Sequence, residues 1–237
     1  MNAAPPESAP MAQAPVLVCD LDGTLIDSLP DLADSLSILL DESGRRALAE
    51  AEVRAMVGDG VAVLVERGFA ATGDPPPAEA LGARVARFLE IYEARLTART
   101  RPYPGALEAL GQVRDSGWRL AVCSNKPERA SREILAALGL DSLIEAVAGG
   151  DSFPVRKPNP GHILGLLAAM EAAPGMAVML GDGANDVAAA RAAGLPVIAI
   201  AHGYGTTPAE ELGADKVIGH FDELPGALAA LGRAGKS

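Results

Sequence analysis

The chain has 237 residues, which at about 150 residues per domain corresponds to about one and a half domains. Hydrophobic residues make up 49% of the chain, so general disorder is excluded and a large core can form without disulfide bonds. The formal net charge of −11 excludes nucleic acid as a partner, because contacts with its phosphates require clustered Lys and Arg side chains.

The first residues of the chain and its hydropathy indicate the cellular location of the protein. Residues 1–15 are rich in Pro, Ala and Ser and lack an apolar signal-peptide core, which predicts a disordered leader. No run approaches the roughly 18 apolar residues of a membrane-spanning helix. Cys19 and Cys123 each end a short apolar run, where cysteine usually serves as a small core residue. We therefore expect a cytoplasmic protein that binds no membrane.

One strand, Val16–Cys19, precedes a long stretch in which no second strand is evident. Within residues 29–99, Leu, Val, Phe and Ile recur at helical spacing, interrupted by a loop rich in Pro and Gly. This pattern predicts a helical segment inserted directly after the first strand of an α/β domain. We therefore expect a helical cap of residues 29–99 on a catalytic core of residues 16–28 and 100–237.

From about residue 100, short β-rich runs alternate with Ala- and Leu-rich stretches of helical period. The predicted strands are Arg119–Cys123, Ala146–Ala148, Ala177–Leu180, Pro196–Ile200 and Lys216–Ile218. The predicted helices are Gly105–Asp115, Glu128–Leu138, Pro160–Met170, Asn185–Ala193, Pro208–Leu212 and Leu224–Leu231. Such alternation predicts an α/β fold with a Rossmann-like parallel sheet that is covered by helices on both faces.

Two carboxylates, Asp20 and Asp22, directly follow the first strand. Like charges this close repel each other, and ligand sites of open α/β sheets lie at the carboxyl ends of strands, so the pair indicates a functional site. The structural alternative is an Asp-Gly turn with Thr24 as a helix cap. A calcium-binding EF-hand loop is excluded, because its sixth position would be Leu25 instead of the required Gly.

The ends of the later predicted strands and the loops beside them carry further polar groups. They are Ser124, Asn125, Lys126, Lys157, Asp182 and Asp186. Each alone also fits a helix cap or a solvated surface charge. Together they place carboxylates, a hydroxyl, an amide and ammonium groups at one edge of the sheet, and this combination favours phosphoryl transfer with Mg²⁺.

The order and sequence of these segments resemble the haloacid-dehalogenase superfamily of phosphatases. The shared motifs are Asp-x-Asp-Gly-Thr after the first strand, a Ser after the second, a Lys-Pro pair and Gly-Asp-x-x-x-Asp. Further stretches, among them Tyr103-Pro104-Gly105 and His202-Gly203-Tyr204-Gly205, resemble bacterial phosphoglycolate phosphatases. The resemblance implies hydrolysis of 2-phosphoglycolate to glycolate and phosphate. One departure is Gly183, where the superfamily often has Ser.

The resemblance also implies the reaction chemistry. Asp20 is expected to attack phosphorus and form an aspartyl-phosphate, while Asp22 protonates the leaving alkoxide and then activates water. Mg²⁺ is expected to bind the Asp20 carboxylate, the Asp22 carbonyl and the Asp182 carboxylate, with Asp186 holding a metal-bound water. The partner is then a small phosphorylated substrate, and the protein is expected to be a monomer or a homodimer.

The remaining predicted site residues bind the phosphate or select the substrate. Ser124, Asn125 and Lys157 are expected to bind the phosphoryl oxygens, and Thr24 belongs to the same group and is expected to position the Asp22 carboxyl. In the predicted cap, Gly58 and Gly60 permit close approach of the backbone to a substrate. The cations available there are Arg67, Arg45, Arg46 and Arg54, each of which also fits a solvated helix charge.

Three alternatives stay open at the level of the sequence. The first is a phosphatase of another small ester, such as a sugar phosphate or pyrophosphate, and the second is a phosphomutase with the same motifs and a different cap. The third is a non-enzymatic module like a phospho-receiver, which also phosphorylates an Asp at a sheet edge but lacks the paired carboxylates. Haloacid dehalogenases lack the second Asp and the metal, so Asp22 favours a phosphate substrate.

Overall fold

The structure is a computed structural model and describes residues 14–231. Most of the leader predicted at residues 1–15 therefore lies outside the described residues. The strands are β1 (Val16–Cys19), β2 (Ile26–Asp27), β3 (Arg101–Pro102), β4 (Arg119–Cys123), β5 (Ala146–Ala148), β6 (Ala177–Gly181), β7 (Val197–Ile200) and β8 (Lys216–Ile218). The helices are α1 (Leu29–Asp41), α2 (Glu50–Arg54), α3 (Val61–Ala71), α4 (Ala78–Glu93), α5 (Ala106–Asp115), α6 (Glu128–Ala137), α7 (Gly161–Ala169), α8 (Ala184–Ala192) and α9 (Leu224–Ala230).

Six parallel strands in the described part of the chain form the main sheet, in the order β5-β4-β1-β6-β7-β8. All four side chains of β1 are fully buried, as expected for an apolar strand covered on both faces. Alternate residues of β1 face opposite sides, so Leu17 packs in one hydrophobic cluster and Val18 in the other. The α/β fold with a Rossmann-like parallel sheet is confirmed.

The register of β1 fixes where the functional groups emerge. Cys19 lies opposite Val122 of β4 on one side and Leu180 of β6 on the other. The next residues of these three strands therefore leave the sheet at one edge. This places Asp20 beside the polar residues that follow β4 and β6. Both cysteines are buried, as the sequence predicts.

Helices α1 to α4 lie between β1 and the next strand of the main sheet, and we refer to residues 29–99 as the helical insert. Its apolar side chains pack into the larger hydrophobic cluster together with one face of the sheet. The buried Asp31 carboxylate accepts hydrogen bonds from the backbone N–H groups of Arg99 and Thr100, at 2.8–3.0 Å, and from the Thr100 hydroxyl at 2.7 Å. This contact joins the first helix of the insert to its last residues.

Two short strands pair where the chain enters and leaves the insert, and the sequence analysis did not predict them. Ile26 pairs with Pro102 and Asp27 with Arg101, in antiparallel orientation. Strands of two residues are too short to produce a detectable alternation of apolar and polar residues. The pairing brings the two ends of the insert side by side.

Other differences from the predicted elements are small and local. The segment Pro208–Leu212 forms only one turn of 3₁₀ helix, Ala209–Glu211. Strand β7 begins at Val197, one residue after Pro196, which has no N–H group to donate to a sheet. Among residues 14–231 there is no helix with both the length and the apolar character to cross a membrane.

Candidate active site

Three carboxylates and one ammonium group meet at the carboxyl edge of the sheet. Asp20 follows β1, Asp182 follows β6 and Asp186 lies in the first turn of α8, and their oxygen atoms lie within 4.8 Å of one another. The Lys157 Nζ atom is 2.7 Å from Asp20 Oδ1 and 2.7 Å from Asp186 Oδ1. The predicted Lys-Pro and Gly-Asp segments are thus brought together with the first Asp of the paired carboxylates.

Burial and mutual repulsion determine the protonation of this cluster. Burial raises the pKa of Asp20 to about 7, with Asp186 and Asp182 adding to the effect and Lys157 opposing it. Burial and the Asp186 charge likewise raise the pKa of Asp182 to about 6. Burial by itself would lower the pKa of Lys157, but Asp186 and Asp20 raise it above its usual value. The lysine is therefore a permanent cation.

The donor set of this cluster fits a hard divalent cation. Within the described chain, one ammonium group faces three carboxylates, so negative charge is in excess at a largely buried position. All the available donors are oxygen atoms, which Mg²⁺ and Ca²⁺ prefer over nitrogen or sulfur. The other carboxylate oxygen of Asp186 accepts a hydrogen bond from the backbone N–H of Gly183 at 3.0 Å, which fixes that side chain.

Asp182 is held by two donors from distant parts of the chain. The Thr24 hydroxyl donates to Asp182 Oδ1 at 2.7 Å, and the backbone N–H of Tyr204 donates to Oδ2 at 2.9 Å. The prediction that Thr24 positions the Asp22 carboxyl is therefore wrong. Residues 22–26 form a tight turn in which Gly23 N–H bonds to the carbonyl of Ile26, and this turn directs Thr24 toward β6.

The Asp22 side chain bonds to none of the three clustered carboxylates and is linked through Lys126 to the helical insert. The Ser28 hydroxyl donates to Asp22 Oδ1 at 2.5 Å, and Lys126 Nζ lies 3.1 and 3.2 Å from the two carboxylate oxygens. The same ammonium group donates to the Tyr92 hydroxyl of α4 at 2.6 Å. Sequence reasoning noted the ammonium of Lys126 but gave it no role, and missed Ser28 and Tyr92. The position of Lys126 beside the predicted phosphate-binding residues was the available signal.

Asn125 makes different contacts from those predicted for it. Its amide nitrogen donates to the carbonyl oxygens of Gly58 at 3.0 Å and Lys157 at 2.9 Å. Both hydrogens of the Asn125 side-chain amide are thus bonded to backbone carbonyls of the insert and of the loop that contains Lys157. Binding of phosphoryl oxygens by Asn125 stays a prediction. The Ser124 hydroxyl oxygen accepts the N–H of Lys126 at 3.3 Å, which leaves its hydrogen for a ligand.

A cavity of about 500 Å³ lies between the sheet edge and the insert. The residues predicted to select the substrate, Gly58, Gly60 and Arg67, line it, as do both carboxylates of the first motif. Arg67 forms an ion pair with Asp59 at 2.6 Å, and the Asn185 amide donates to Asp59 at 2.7 Å. The insert loop is therefore tied to α8 beside the cluster.

The other three arginines named as possible substrate-binding cations do not line this cavity. Arg45 donates to the carbonyls of Phe69 and Asp74, and Arg46 pairs with Glu52. Arg54 donates to the carbonyl of Gly203 at 2.8 Å. Arg45 and Arg46 lie in the loop between α1 and α2, so they are not the solvated helix charges that the sequence suggested, and their partners lie within the insert. Arg54 instead connects the insert to the loop that holds Asp182.

Gly203 packs so closely against Asp182 that a side chain does not fit. A Cβ atom at Gly203 would lie 2.1 Å from Asp182 Oδ2, whereas one at Gly205 would meet the carbonyl oxygens of Asp182 and Thr207 at ordinary distances of 3.5 and 3.8 Å. We expect Gly203→Ala to weaken Mg²⁺ binding about 10- to 100-fold, because the carboxylate must move. Titration calorimetry with Gly205→Ala as the matched control measures this. Equal affinities in the two variants would contradict the prediction.

His162 packs against the loop that contains Lys157 and bonds to its backbone. It is fully buried, its Nδ1 accepts the backbone N–H of Lys157 at 3.3 Å, and its Nε2 lies 2.9 Å from the Gly149 carbonyl. Burial, together with the positive charge of Lys157, lowers the pKa of His162 to about 4. The ring is therefore neutral, with its proton on Nε2.

This depressed pKa predicts a loss of stability in mild acid. Above about pH 6.5 the ring is neutral in both the folded and the unfolded chain, and its contribution is complete. As the pH falls from about 6.5 to 4, only the unfolded chain takes up the proton, so the free energy of unfolding falls by up to about 3 kcal/mol. His162→Gln should make this pH dependence shallower in urea titrations, and the exposed His220→Gln should not. Identical slopes for wild type and His162→Gln would refute the assignment.

Comparison with known proteins gives consistent similarities. Residues 17–200 match the family described as haloacid dehalogenase-like hydrolase. The phosphoglycolate phosphatase of Caulobacter vibrioides is 42% identical over 212 residues, 90% of each chain, and that of Rhodospirillum rubrum is 44% identical over 212 residues, 88% of each chain. The crystal structure of a predicted phosphoglycolate phosphatase from Haemophilus somnus has a TM-score of 0.85 at 30% identity, covering 92% of this chain and 99% of that one.

Proposed function

Because this chain belongs to the haloacid dehalogenase-like hydrolase family, we propose that it is a Mg²⁺-dependent phosphatase that hydrolyses 2-phosphoglycolate to glycolate and inorganic phosphate. The observation that carries the proposal is the separation of the two motif carboxylates. Asp20 lies in the cluster with Lys157, while Asp22 faces the cavity beneath the insert. One carboxylate is thereby suited to attack and the other to transfer protons.

In the first step, an Asp20 oxygen forms a bond to phosphorus and the ester P–O bond breaks. The proton on Asp22 passes to the leaving alkoxide, which departs as glycolate. Lys157 and the Ser124 hydroxyl are the proposed donors to the phosphoryl oxygens. Asp20, the Asp22 carbonyl and Asp182 are the proposed ligands of Mg²⁺, with Asp186 holding a metal-bound water, and the bound cation would supply positive charge that favours approach of the phosphate dianion to this acidic edge.

In the second step, water attacks the phosphorus of the aspartyl-phosphate while Asp22 accepts a proton from it. The bond between phosphorus and the Asp20 oxygen breaks, which releases inorganic phosphate and restores both carboxylates to their starting states. Ser28 and Lys126 hold Asp22 in place through this cycle, because both donate to its carboxylate. The insert covers the cavity and limits access of bulk water.

The test is phosphate release by the purified protein from a set of small esters, with Mg²⁺ and with a chelator. We expect the highest kcat/KM for 2-phosphoglycolate and no turnover without the metal. Higher kcat/KM for a sugar phosphate or for pyrophosphate would overturn the substrate assignment and retain a phosphatase. Isomerised sugar phosphate would indicate a phosphomutase, and a phosphorylated protein that persists without turnover would indicate a receiver-like module. Cytoplasmic location and a monomeric or homodimeric state stay predictions.

A further inference from the structure

Lys126 and Tyr92 form a buried polar pair, of which the proposed reaction uses only the contact between Lys126 and Asp22. Lys126 follows the phosphate-binding residues of the core, Tyr92 lies on α4 of the insert, and both line the cavity. The ammonium group lies 2.6 Å from the Tyr92 oxygen and 4.5 Å from the centre of the ring. The pair is buried, with Lys126 only 6% exposed and Tyr92 only 2%.

We propose that Lys126 and Tyr92 bind the carboxylate of the substrate and make the enzyme selective for phosphate esters of 2-hydroxy acids. This inference rests on the proposed function. In 2-phosphoglycolate a single methylene carbon separates the carboxylate from the ester oxygen. The group that protonates this oxygen is Asp22, and Lys126 lies within 3.2 Å of both Asp22 oxygens. A carboxylate attached one carbon away is therefore within reach of the same ammonium group.

The pair has hydrogens left for such a ligand. An ammonium group has three hydrogens: one shared by the two Asp22 oxygens, at 3.1 and 3.2 Å, and a second donated to Tyr92 leave the third for a ligand. The Tyr92 oxygen accepts from Lys126, and none of residues 14–231 accepts the hydrogen of its own hydroxyl. Burial raises the pKa of Tyr92 to about 12, so the hydroxyl keeps this hydrogen at neutral pH. Two donors thus remain for the two oxygens of a carboxylate.

The other cations of the cavity are less suited to this role. Arg67 and Arg129 have side chains 43% and 65% exposed, and each pairs with a carboxylate, Asp59 and Glu93 respectively. Lys157 is held between two members of the acidic cluster and faces the phosphoryl group. A solvated and already paired arginine discriminates weakly between a carboxylate and a neutral group, because water competes for it.

The test compares two substrates in each variant. The substrates are 2-phosphoglycolate and 2-hydroxyethyl phosphate, in which a CH₂OH group replaces the carboxylate, and the measured quantity is the ratio of their kcat/KM values. We expect this ratio to fall about 100-fold in Lys126→Gln and about 10-fold in Tyr92→Phe. Any disturbance of Asp22 lowers kcat/KM for both substrates alike, so it cancels in the ratio. Arg67→Gln is the matched control and should leave the ratio within about twofold.

The outcomes separate this inference from the proposed function. If the wild type hydrolyses 2-phosphoglycolate but the ratio is unchanged in both Lys126→Gln and Tyr92→Phe, the inference is wrong and the function stands. If the ratio falls only in Arg67→Gln, the substrate carboxylate binds to Arg67 and the inference is also wrong. If the wild type does not hydrolyse 2-phosphoglycolate, the function itself fails. Tyr92→Phe keeps the ring, so it serves if Lys126→Gln does not fold.

Discussion

Replacement of Asp20 by Asn is expected to reduce kcat for phosphate release by about 10⁵- to 10⁶-fold, because an amide cannot act as the nucleophile. The side chain keeps its shape, so the fold should be unaffected. Asp20 is crowded by two further carboxylates, and burial already raises its pKa to about 7. Without Mg²⁺, a neutral side chain here should therefore leave the melting temperature equal to or above that of the wild type.

Steady-state assays together with thermal unfolding in a chelator check this prediction. Radiolabelled substrate should phosphorylate the wild-type protein and not the variant. Asp115→Asn is the control, since Asp115 has a side chain 78% exposed on α5 and should lose neither activity nor stability. Retention of more than about one per cent of wild-type kcat in Asp20→Asn would rule out Asp20 as the nucleophile.

Replacement of Lys157 by Met should damage both stability and catalysis. The ammonium is 3% exposed and lies 2.7 Å from Asp20 and from Asp186, so its loss leaves buried carboxylates unpaired. In a chelator we expect the free energy of unfolding to fall by about 3–5 kcal/mol. We expect kcat/KM to fall about 10³-fold, because charge developing on the phosphoryl group loses its donor.

In Lys157→Met, saturating Mg²⁺ should restore much of the lost stability but little of the lost activity. The cation binds only the folded cluster and supplies the missing positive charge, so it stabilises the variant more than the wild type. Urea unfolding with and without Mg²⁺ measures this difference, and Lys216→Met, on an exposed strand position, is the control. If Lys157→Met and wild type unfold alike in the chelator, the proposed balance of charge is wrong.

The sequence was sufficient to predict the sheet and the main cluster, because both depend on local patterns. Apolar runs marked the strands, and polar residues directly after a strand must emerge at its carboxyl end. The parallel register then brings Asp20 and Asp182 together without further information. Lys157, which lies in the loop before α7, was identified instead by its Lys-Pro pair, one of the motifs that carry the resemblance to the superfamily.

Contacts between segments that are distant in sequence could not be predicted from local patterns. Whether Thr24 bonds to Asp22 or to Asp182 depends on the turn after β1, and whether Asn125 is free depends on how the insert loop lies on the core. Tyr92 approaches Lys126 from a helix that is distant in sequence, so no local pattern reports the contact. Such pairings are set by tertiary packing, which residue spacing along the chain does not encode.

The short pairing of β2 with β3 has a consequence for the evolution and engineering of this chain. Because Asp27 and Arg101 are partners in one ladder, the chain between them leaves the core and returns to it at a single point. Insertions whose ends are close in space are tolerated without rearrangement of the host. We therefore expect that exchange of the whole segment at this junction changes the lining of the cavity, provided that the apolar side chains that pack against the sheet are kept.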